Sequence, residues 1–433
     1  MRRPSVLVIF LTVFLDLVGF GIVLPQLPLY AKGYHANGFE LGLIMASFSA
    51  MQFLFAPAWG HLSDRIGRRP VLLVSTAGSA IAYSWLALAT RLQGSAALWM
   101  IIASRVFAGI CGANITVAQA YIADITPPEN RSRRMGLIGM AFGLGFIFGP
   151  WIGSKSSDWF GDTGPGWVAG GLCALNFILA CVILPESWTP SSEHVPNRAR
   201  IAQWRHTLSR PTIGLLVTIF FLATFCFTCF ELTLGLIIAH NFGLDLQNDE
   251  DMKIARHIAG PLFMYCGIVG AIVQGGPTGK LVKKFGERRL ITASLFVTGI
   301  SLALVPVVHG NIHQFGVLSW RVLFGGAGGA WWGLLGVLAL LSIGTGLTRP
   351  PLFGLLSILT PANEQGVTIG VAQSAGSLAR IVGPMFAGAI FSANPGLPYL
   401  ICAGIAVATG ILAAQRLGKG APSAIANPAG AAP

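Results

Sequence analysis

A series of long apolar runs, repeated along most of the 433-residue chain, constrains the fold more than any other feature. Each run of roughly 20 residues is long enough to cross the hydrocarbon core of a bilayer as a helix. Charged residues make up 10% of the chain, whereas about 25% is usual in a soluble domain. Because so few charges cannot cover a soluble surface of this size, the sequence predicts an all-α integral membrane protein.

The apolar runs divide into twelve predicted membrane spans, and the charges between them predict the orientation. Loops assigned to the cytoplasm hold 19 Lys and Arg residues, against six in the loops assigned to the outside. This bias is the positive-inside pattern, so the sequence indicates a multi-pass protein of the cytoplasmic (inner) membrane with both termini cytoplasmic. The loop cations also explain the net charge of +12 without any nucleic acid partner. The predicted spans are 6–30, 40–60, 70–90, 97–123, 134–156, 166–184, 211–239, 257–279, 290–309, 328–358, 365–392 and 397–415.

The spans fall into two predicted halves that share motifs. A polar linker, 185–210, separates a six-helix lobe at 1–184 from a second at 211–418, and the Ala/Pro/Gly-rich tail 419–433 is predicted to be disordered. Parallel repeats of six spans place a substrate site near mid-membrane between the halves. The repeated stretches, in the same order, are 60–69 with 279–288, and 126–150 with 360–384.

A short polar stretch between the second and third spans has an unusual composition. Two glycines permit close packing at a turn, and three cations surround a single acid. The stretch resembles the signature loop between helices two and three of the major facilitator superfamily of transporters. That resemblance implies a fold of twelve helices in two six-helix pseudo-repeats, working by alternating access, in which Asp64 and Arg65 help to lock the outward-facing state. The predicted cytoplasmic gate comprises Gly60, Asp64, Arg65, Gly67, Arg68 and Arg69.

The fifth predicted span carries glycines at spacings that leave one helix face bare. A bare face lets another helix pack closely, and a proline within the span removes a backbone hydrogen bond and bends the helix. The pattern resembles the antiporter motif of proton-coupled drug exporters. Close packing without any influence on the direction of transport is the alternative. The residues are Gly136, Gly145, Gly149, Pro150 and Gly153.

Two charged residues lie inside spans of the first half. Arg105 is in the fourth span, where an unpaired Arg costs at least about 2.5 kcal/mol, so we expect it to face the interior and pair with a carboxylate. Snorkelling to the membrane interface is the alternative. Asp16 in the first span is the nearest candidate partner and a predicted proton carrier. The segment from Arg105 to Arg131 resembles the same region of tetracycline/proton antiporters.

The second half contributes one acid deep in a span, Glu231. Because the first and seventh helices hold equivalent positions in the two lobes, Glu231 and Asp16 are both expected to line the central cavity and to couple protons. A protonated structural group is the alternative for Glu231. Arg380 is expected to pair with one of these acids. Phe227 and Phe230 are candidate cavity walls, with packing or contact with lipid as the alternative.

The resemblance to tetracycline antiporters is weaker at the residues that those transporters use for their substrate. Those transporters carry an acid beside a Tyr in the third helix, whereas this chain has Ala82 before Tyr83. They also use a His and an acid in helices eight and nine, whereas 258–308 holds no His and a single acid, Glu287. We therefore predict little or no resistance to tetracycline, and no metal site.

The sequence therefore favours a secondary transporter that couples proton entry to export of a drug-like or amphiphilic small molecule. No nucleotide-binding P-loop is present, so the proton gradient, and no cofactor, is the expected energy source. A monomer in membrane lipid is expected. A lipid or lysolipid flippase and a nutrient symporter are alternatives within the same fold. A membrane-embedded enzyme is the rival class, but HExxH and GxSxG motifs are absent.

Overall fold

A computed structural model describes residues 4–27, 30, 34, 38–188, 200–244, 249–310, 328–391 and 393–418. Within these ranges the regular structure is entirely helical, as the sequence predicts. Residues 189–199 of the predicted linker and the predicted tail 419–433 lie outside the described residues. The helices are α1 (Val6–Val23), α2 (Gly38–Ile66), α3 (Arg68–Ala89), α4 (Gly94–Cys111), α5 (Asn114–Asp124), α6 (Pro128–Phe160), α7 (Gly164–Ile183), α8 (Arg200–Ser209), α9 (Pro211–Asn241), α10 (Asp249–Gly275), α11 (Thr278–Phe285), α12 (Glu287–Leu304), α13 (Gly328–Ile358), α14 (Gln365–Phe391) and α15 (Leu397–Gly418).

The number of membrane helices is consistent with the predicted twelve. Ten stretches of the described chain are long and apolar enough to cross a membrane, and one of them, Pro128–Ile183, contains both α6 and α7. A shorter apolar helix, Pro261–Gly275, forms the second part of α10. Large apolar side chains such as Trp99, Ile178 and Leu400 are exposed on the outside of the bundle, as a lipid-facing surface requires.

Within each predicted half, which we treat as one group of helices, neighbouring helices pack on one another. In the first group, α1 packs on α6 and α7, and α3 packs on α4 and α7. In the second group, α9 packs on α14 and α15, and α12 packs on α13 and α15. We call these two groups, α1–α7 and α9–α15, the lobes, and α8 lies within the segment predicted as a linker.

The predicted polar hinge at 60–70 is almost entirely helical, which corrects the expectation of a loop. Helix α2 continues to Ile66 and α3 starts at Arg68, so Gly67 alone makes the break. Its φ of +98° is a conformation that favours glycine. Gly286 breaks the repeat copy in the same way, with a φ of +77° between α11 and α12.

The predicted fourth span is interrupted, because α4 ends at Cys111 and α5 begins at Asn114. A side chain from α3 supports the break: Ser75 Oγ accepts a hydrogen bond from the Ala113 N–H at 3.1 Å and donates one to the Cys111 carbonyl. The backbone groups released by the break are therefore satisfied, as burial in a membrane requires.

Candidate functional site

The two lobes meet in the half of the bundle that lies nearest one end. We call this end the basic end, because its short connections and helix ends carry many Lys and Arg residues. The contacts between lobes join α2 to α14, α5 to α14, and α6 to α10, α11 and α13. The segments that define the basic end are 64–69, 124–134, 275–289 and 358–366.

The acid at the end of α2 holds the first turn of α14 in the opposite lobe. Asp64 Oδ1 accepts a hydrogen bond from the Gly366 N–H at 2.9 Å, and Oδ2 accepts one from the Val367 N–H at 2.8 Å. The first backbone N–H groups of a helix have no partner within the helix, and its dipole favours an anion there. Arg68 Nη1 also donates to Oδ1, so the buried carboxylate is neutralised within its own lobe.

Arg68 organises the acids around this contact. Its Nε donates to Asp124 Oδ2 at 2.9 Å and its Nη1 donates to Ser63 Oγ at 2.8 Å. Glu186 accepts the backbone N–H groups of Arg68 and Arg69, at 2.9 and 3.0 Å, and so satisfies the start of α3. The side chains of Asp64 and Arg68 are fully buried, which makes each dependent on the other.

The predicted lock contains Asp64, but with a different arginine. We expected Asp64 and Arg65 to form the lock, but Arg65 is exposed and Arg68 makes the ion pair. Arg68 begins α3 directly after the break at Gly67, and its buried side chain lies against Asp64, whereas Arg65 lies on the exposed side of α2. Arg69 is half-buried and donates to the Cys181 carbonyl within the same lobe.

Glycines bring the α2 and α14 backbones together beside Asp64. A Cβ atom on Gly60 would overlap the carbonyl oxygen of Gly366, and one on Gly366 would overlap that of Gly60. One turn further along, a Cβ on Gly370 would lie 2.6 Å from the carbonyl oxygen of Ala56. These helices can approach this closely only where side chains are absent.

The α2–α14 contact continues towards the middle of the helices through polar side chains. Gln52 Oε1 accepts from Arg380 Nη2 at 2.7 Å and from Ser377 Oγ at 3.2 Å. Nearby, Gln373 Nε2 donates to Gln119 Oε1 at 2.9 Å. The closure therefore runs from the basic end to the interior of the bundle. Its length along α2 is about 18 Å at 1.5 Å per residue.

A second pair of helices, α6 and α10, closes the other side of the basic end. A Cβ on Gly136 would lie 2.6 Å from the carbonyl oxygen of Gln274, and one on Gly143 would lie 2.7 Å from that of Gly267. The Gln274 side chain fills the space above Gly139 so completely that a Cβ there would overlap it. Sequence reasoning missed Gly139 and Gly143, although both lie at helical spacing from Gly136.

The predicted antiporter motif on α6 is divided between two surfaces. Gly136 contacts the opposite lobe, whereas Gly145 and Gly149 pack on α1, close to Leu17 and Gly21. Gly153 likewise packs on α1, against the Ile22 carbonyl. Pro150 lies inside α6, which continues beyond it to Phe160.

The repeat copy of the polar stretch makes a weaker contact. Lys283, which stands where the first copy has Asp64, is exposed, and no acid of this copy holds a helix start in the described structure. Glu287 Oε1 instead accepts from Ser132 Oγ at 3.1 Å, and Arg131 Nη1 donates to the Ser357 carbonyl at 2.9 Å. The two copies of the polar stretch therefore contribute unequally to closure of the basic end, and the stronger contact is that of Asp64.

The opposite end of the bundle is tied together within each lobe. Tyr30 Oη donates to the Asp162 carbonyl at 2.8 Å, and Tyr34 Oη donates to that of Thr90 at 2.9 Å. In the second lobe, Asn241 Nδ2 bonds the Val305 and Val308 carbonyls. Each of these hydrogen bonds joins two groups of the same lobe.

Asp16 and Arg105 do not form the predicted pair. Asp16 is half-buried beside Asn114 and Ser79, and its Oδ1 is shielded from solvent without a hydrogen-bond partner. Arg105 is 3% exposed, and its guanidinium lies 4.7 Å from the centre of the Phe48 ring. Tyr83 lies near both charged groups, and the Arg105 guanidinium packs over the Phe48 and Phe20 rings instead of contacting a carboxylate.

The second lobe holds a cluster of one acid and two arginines. Glu231 on α9 is close enough to interact electrostatically with Arg380 on α14, the residue predicted to pair with an interior acid. It also interacts with Arg349 on α13, which sequence reasoning missed. None of the ion pairs among the described residues joins Glu231 to either arginine. The signal for Arg349 was its place inside a long apolar run.

The two candidate cavity aromatics differ in position. Phe227 is half-buried, and its ring centre lies 5.6 Å from the Arg349 guanidinium. Phe230 is 3% exposed and belongs to the packed core of the second lobe, where its ring lies 6.4 Å from that of Phe263. The expectation that Phe230 lines a cavity is therefore wrong for this conformation, because neighbouring apolar side chains surround it.

Comparison with sequence models of protein families identifies the family of this chain. The sequence model of the Major Facilitator Superfamily matches residues 9–338 and, in a second alignment, residues 277–431. The chain belongs to the major facilitator superfamily. It is thus a multi-pass membrane transporter of small molecules, and the rival assignment as an enzyme is excluded.

Relatives within the superfamily include resistance proteins. The chain is 31% identical over 400 residues to the class C tetracycline resistance protein of Escherichia coli, covering 91% of each sequence. It is 27% identical to multidrug resistance protein 2 of Bacillus subtilis, covering 95% of this chain and 94% of that protein.

Solved structures of other superfamily members share the fold. The human organic anion transporter MFSD10 (TETRAN) aligns with a TM-score of 0.77 at 24% identity, covering 95% of this chain and all of that one. A bacterial homologue of the iron transporter ferroportin, solved in an outward-facing state, aligns with a TM-score of 0.68 at 15% identity over 96% of this chain and 98% of that one.

Proposed function

We propose that this transporter exports a drug-like or amphiphilic small molecule in exchange for protons. The observation that carries the proposal is the closure of the lobes at the basic end, through buried contacts between α2 and α14, above an interior that contains two carboxyl groups. A bundle closed at one end gives its interior access from the other side only. Alternating access requires this arrangement in one of its two states.

The orientation follows from the loop charges. With the 19 Lys and Arg residues of the predicted inside loops in the cytoplasm, the basic end faces the cytoplasm and both termini are cytoplasmic. The conformation described above is then outward-facing, and the contact of Asp64 with α14 is its cytoplasmic gate. The membrane is the inner membrane of a bacterium, since the resistance-protein relatives are bacterial.

Protons act at the interior carboxyl groups. Asp16 has a shielded oxygen without a hydrogen-bond donor, an arrangement that suits a neutral carboxyl group better than an anion. Ionisation would attract donors such as Asn114, whose amide nitrogen also lacks a partner, and would change the packing of α1 on α5. A coupling ion drives transport only when it biases the two states differently, and this change of packing supplies the bias.

The substrate is a small molecule that the chain moves without a cofactor or ATP, as a monomer in membrane lipid. The names of the tetracycline and multidrug resistance relatives support export of a drug-like compound. Ala82 is buried beside Tyr83 in α3, where the sequence comparison with tetracycline antiporters leads us to expect an acid. We therefore expect the substrate to differ from tetracycline.

A flux screen in proteoliposomes tests this function. Purified protein would be given an imposed pH gradient and a panel of dyes, drugs and lysolipids. We expect accumulation of at least one compound against its own gradient, abolished by an ionophore that dissipates the pH gradient. Accumulation that persists without the gradient would contradict proton coupling. Turnover of lysolipid between leaflets, with no movement of soluble compounds, would favour a flippase.

A further inference from the structure

The interior of the bundle contains more cations than anions. Among the described residues, five charged side chains lie away from the ends of the membrane helices: Asp16, Arg105, Glu231, Arg349 and Arg380. Even with both acids ionised, this set has a net charge of +1. An uncompensated charge in a low-dielectric interior is unfavourable, so the site is electrostatically complementary to an anion.

The excess positive charge is concentrated in the second lobe. Arg349 and Arg380 are close enough to repel each other, and Glu231 is the acid that faces both. One carboxylate cannot neutralise two guanidinium groups. In the first lobe, by contrast, the interior set contains one arginine, Arg105, and one acid, Asp16.

The two arginines of the second lobe differ in the hydrogen bonds that they make with the protein. Arg380 donates from Nη2 to Gln52 and to Ser377, which fixes it at the interface between lobes. Arg349 makes no hydrogen bond to any described residue, and its guanidinium instead lies 5.6 Å from the centre of the Phe227 ring. Arg349 is half-buried, so its donors are not sealed within the core.

We propose that Arg349 and Arg380 bind an anionic group of the transported molecule, which is therefore an amphiphilic organic anion such as a carboxylate or a sulfonate. A guanidinium presents two parallel N–H donors that match these groups. The half-buried face of Phe227 beside Arg349 contacts the apolar part of the same molecule. This inference rests on the proposed transport function and specifies its substrate class.

Three fluorescent probes with one apolar body and different charges test the inference. Dansylglycine is an anion, dansylamide is neutral and dansylcadaverine is a cation at neutral pH. Binding would be measured by fluorescence with purified protein in nanodiscs, and movement by counterflow in proteoliposomes. We expect the wild type to bind dansylglycine about tenfold or more tightly than dansylamide, because a hydrogen bond to a charged group contributes roughly that factor.

Variants separate the anion site from folding. Arg349→Gln should lose most of the preference for dansylglycine while keeping the affinity for dansylamide, and Arg349→Lys should retain part of the preference. Arg289→Gln, at an exposed position of the basic end, serves as the control and should behave as the wild type. Equal thermal unfolding of all variants would show that the fold is intact.

The outcomes distinguish this inference from the proposed function. Preference for the neutral or cationic probe, failure of dansylglycine to bind, or an unchanged preference in Arg349→Gln would each overturn the anion site. If probes are moved but the anion is not favoured, the transport function stands and the substrate class is wrong. If dansylglycine is bound but no probe of any charge is moved, the anion site stands and the transport function fails.

Discussion

The carboxylate of Asp64 in one lobe accepts a hydrogen bond from the backbone N–H of Gly366 in the other, at 2.9 Å. This contact differs from a surface salt bridge in two respects. The Asp64 side chain is fully buried, and its partners are backbone groups at the start of a helix. The contact therefore forms only when the whole of α14 is in position. Opening the basic end must break it and expose the acid to water.

The first prediction concerns this carboxylate. Asp64→Asn replaces one acceptor oxygen by an N–H donor, which faces the unpaired backbone N–H groups of α14. We expect the closed state to lose about tenfold or more in population, since a hydrogen bond to a charged group contributes roughly 1.5–3 kcal/mol. The measurement is the distribution of distances between spin labels at the exposed positions Ile66 and Phe285.

The control for this experiment is another acid. Asp158 is exposed near the opposite end of α6 and pairs with Lys155. Asp158→Asn removes the same charge but should leave the label distances unchanged, because exposed pairs contribute little. Equal distances in the Asp64→Asn variant and the wild type would remove Asp64 from the gate.

The second prediction distinguishes a glycine that is needed for closure of the gate from a glycine that is needed for stability of the fold. Gly60→Ala places a methyl group against the Gly366 backbone, which belongs to the other lobe, so only the closed state should be affected. Gly149→Ala places it against Gly21 within the same lobe and should lower thermal stability in every state. Gly171→Ala, where nothing lies within 4 Å, is the matched neutral control.

Thermal unfolding and label distances together decide this prediction. We expect Gly60→Ala to fold, to populate the state open at the basic end, and to transport slowly. Gly149→Ala should unfold at a lower temperature than Gly171→Ala. A Gly60→Ala protein that closes as the wild type does would show that the α2–α14 approach is not required for closure.

The sequence predicted the membrane class and the family, and it singled out the polar stretch around Asp64, because apolar length, loop charge and short motifs are local properties. It identified Asp64 but named Arg65 beside it in the lock. It treated 60–70 as a loop, so it did not foresee that α3 starts at Arg68 and buries that side chain against Asp64. The α14 residues that Asp64 contacts could not be identified from the sequence, because the two partners of this contact lie about 300 residues apart in the chain.

A periodic signal for the opposite side of the gate was nevertheless present. Gly366, Gly370, Gln373 and Ser377 recur every three or four residues along α14, which places them on one helix face. A face of small and polar residues inside an apolar span indicates a helix contact. Arg349 was missed for a different reason: its role depends on Glu231, which lies on another helix of the lobe.

The third prediction concerns α8, which touches both sides of the gate. The Trp204 ring lies 5.9 Å from that of Phe53 in α2, and Arg210, directly after α8, donates to Glu364 Oε2 at 2.7 Å next to the start of α14. Arg210→Gln should weaken closure less than Asp64→Asn does, by a few-fold, because the Arg210 side chain is partly solvated.

The same spin-label pair measures this effect. Arg205→Gln, a loss of charge on α8 itself, is the control and should leave the distances unchanged. If Arg210→Gln and Arg205→Gln give the same distribution as the wild type, α8 merely connects the lobes and does not support the gate.

The last prediction tests the central claim, that proton movement through the interior drives export. Asp16→Asn keeps the size of the side chain but removes its titration. Substrate binding and downhill exchange should therefore continue, whereas the bias that couples protons to the conformational change should be lost. Glu231→Gln should give a weaker form of the same defect, because nearby arginines also compensate its charge.

The most direct measurement is the accumulation of substrate in proteoliposomes with an imposed pH gradient, compared between the wild type and Asp16→Asn at equal protein content. The account predicts uphill accumulation by the wild type and none by Asp16→Asn, with downhill counterflow at comparable rates in both. Normal uphill accumulation by Asp16→Asn would contradict the assignment of Asp16 as the proton carrier.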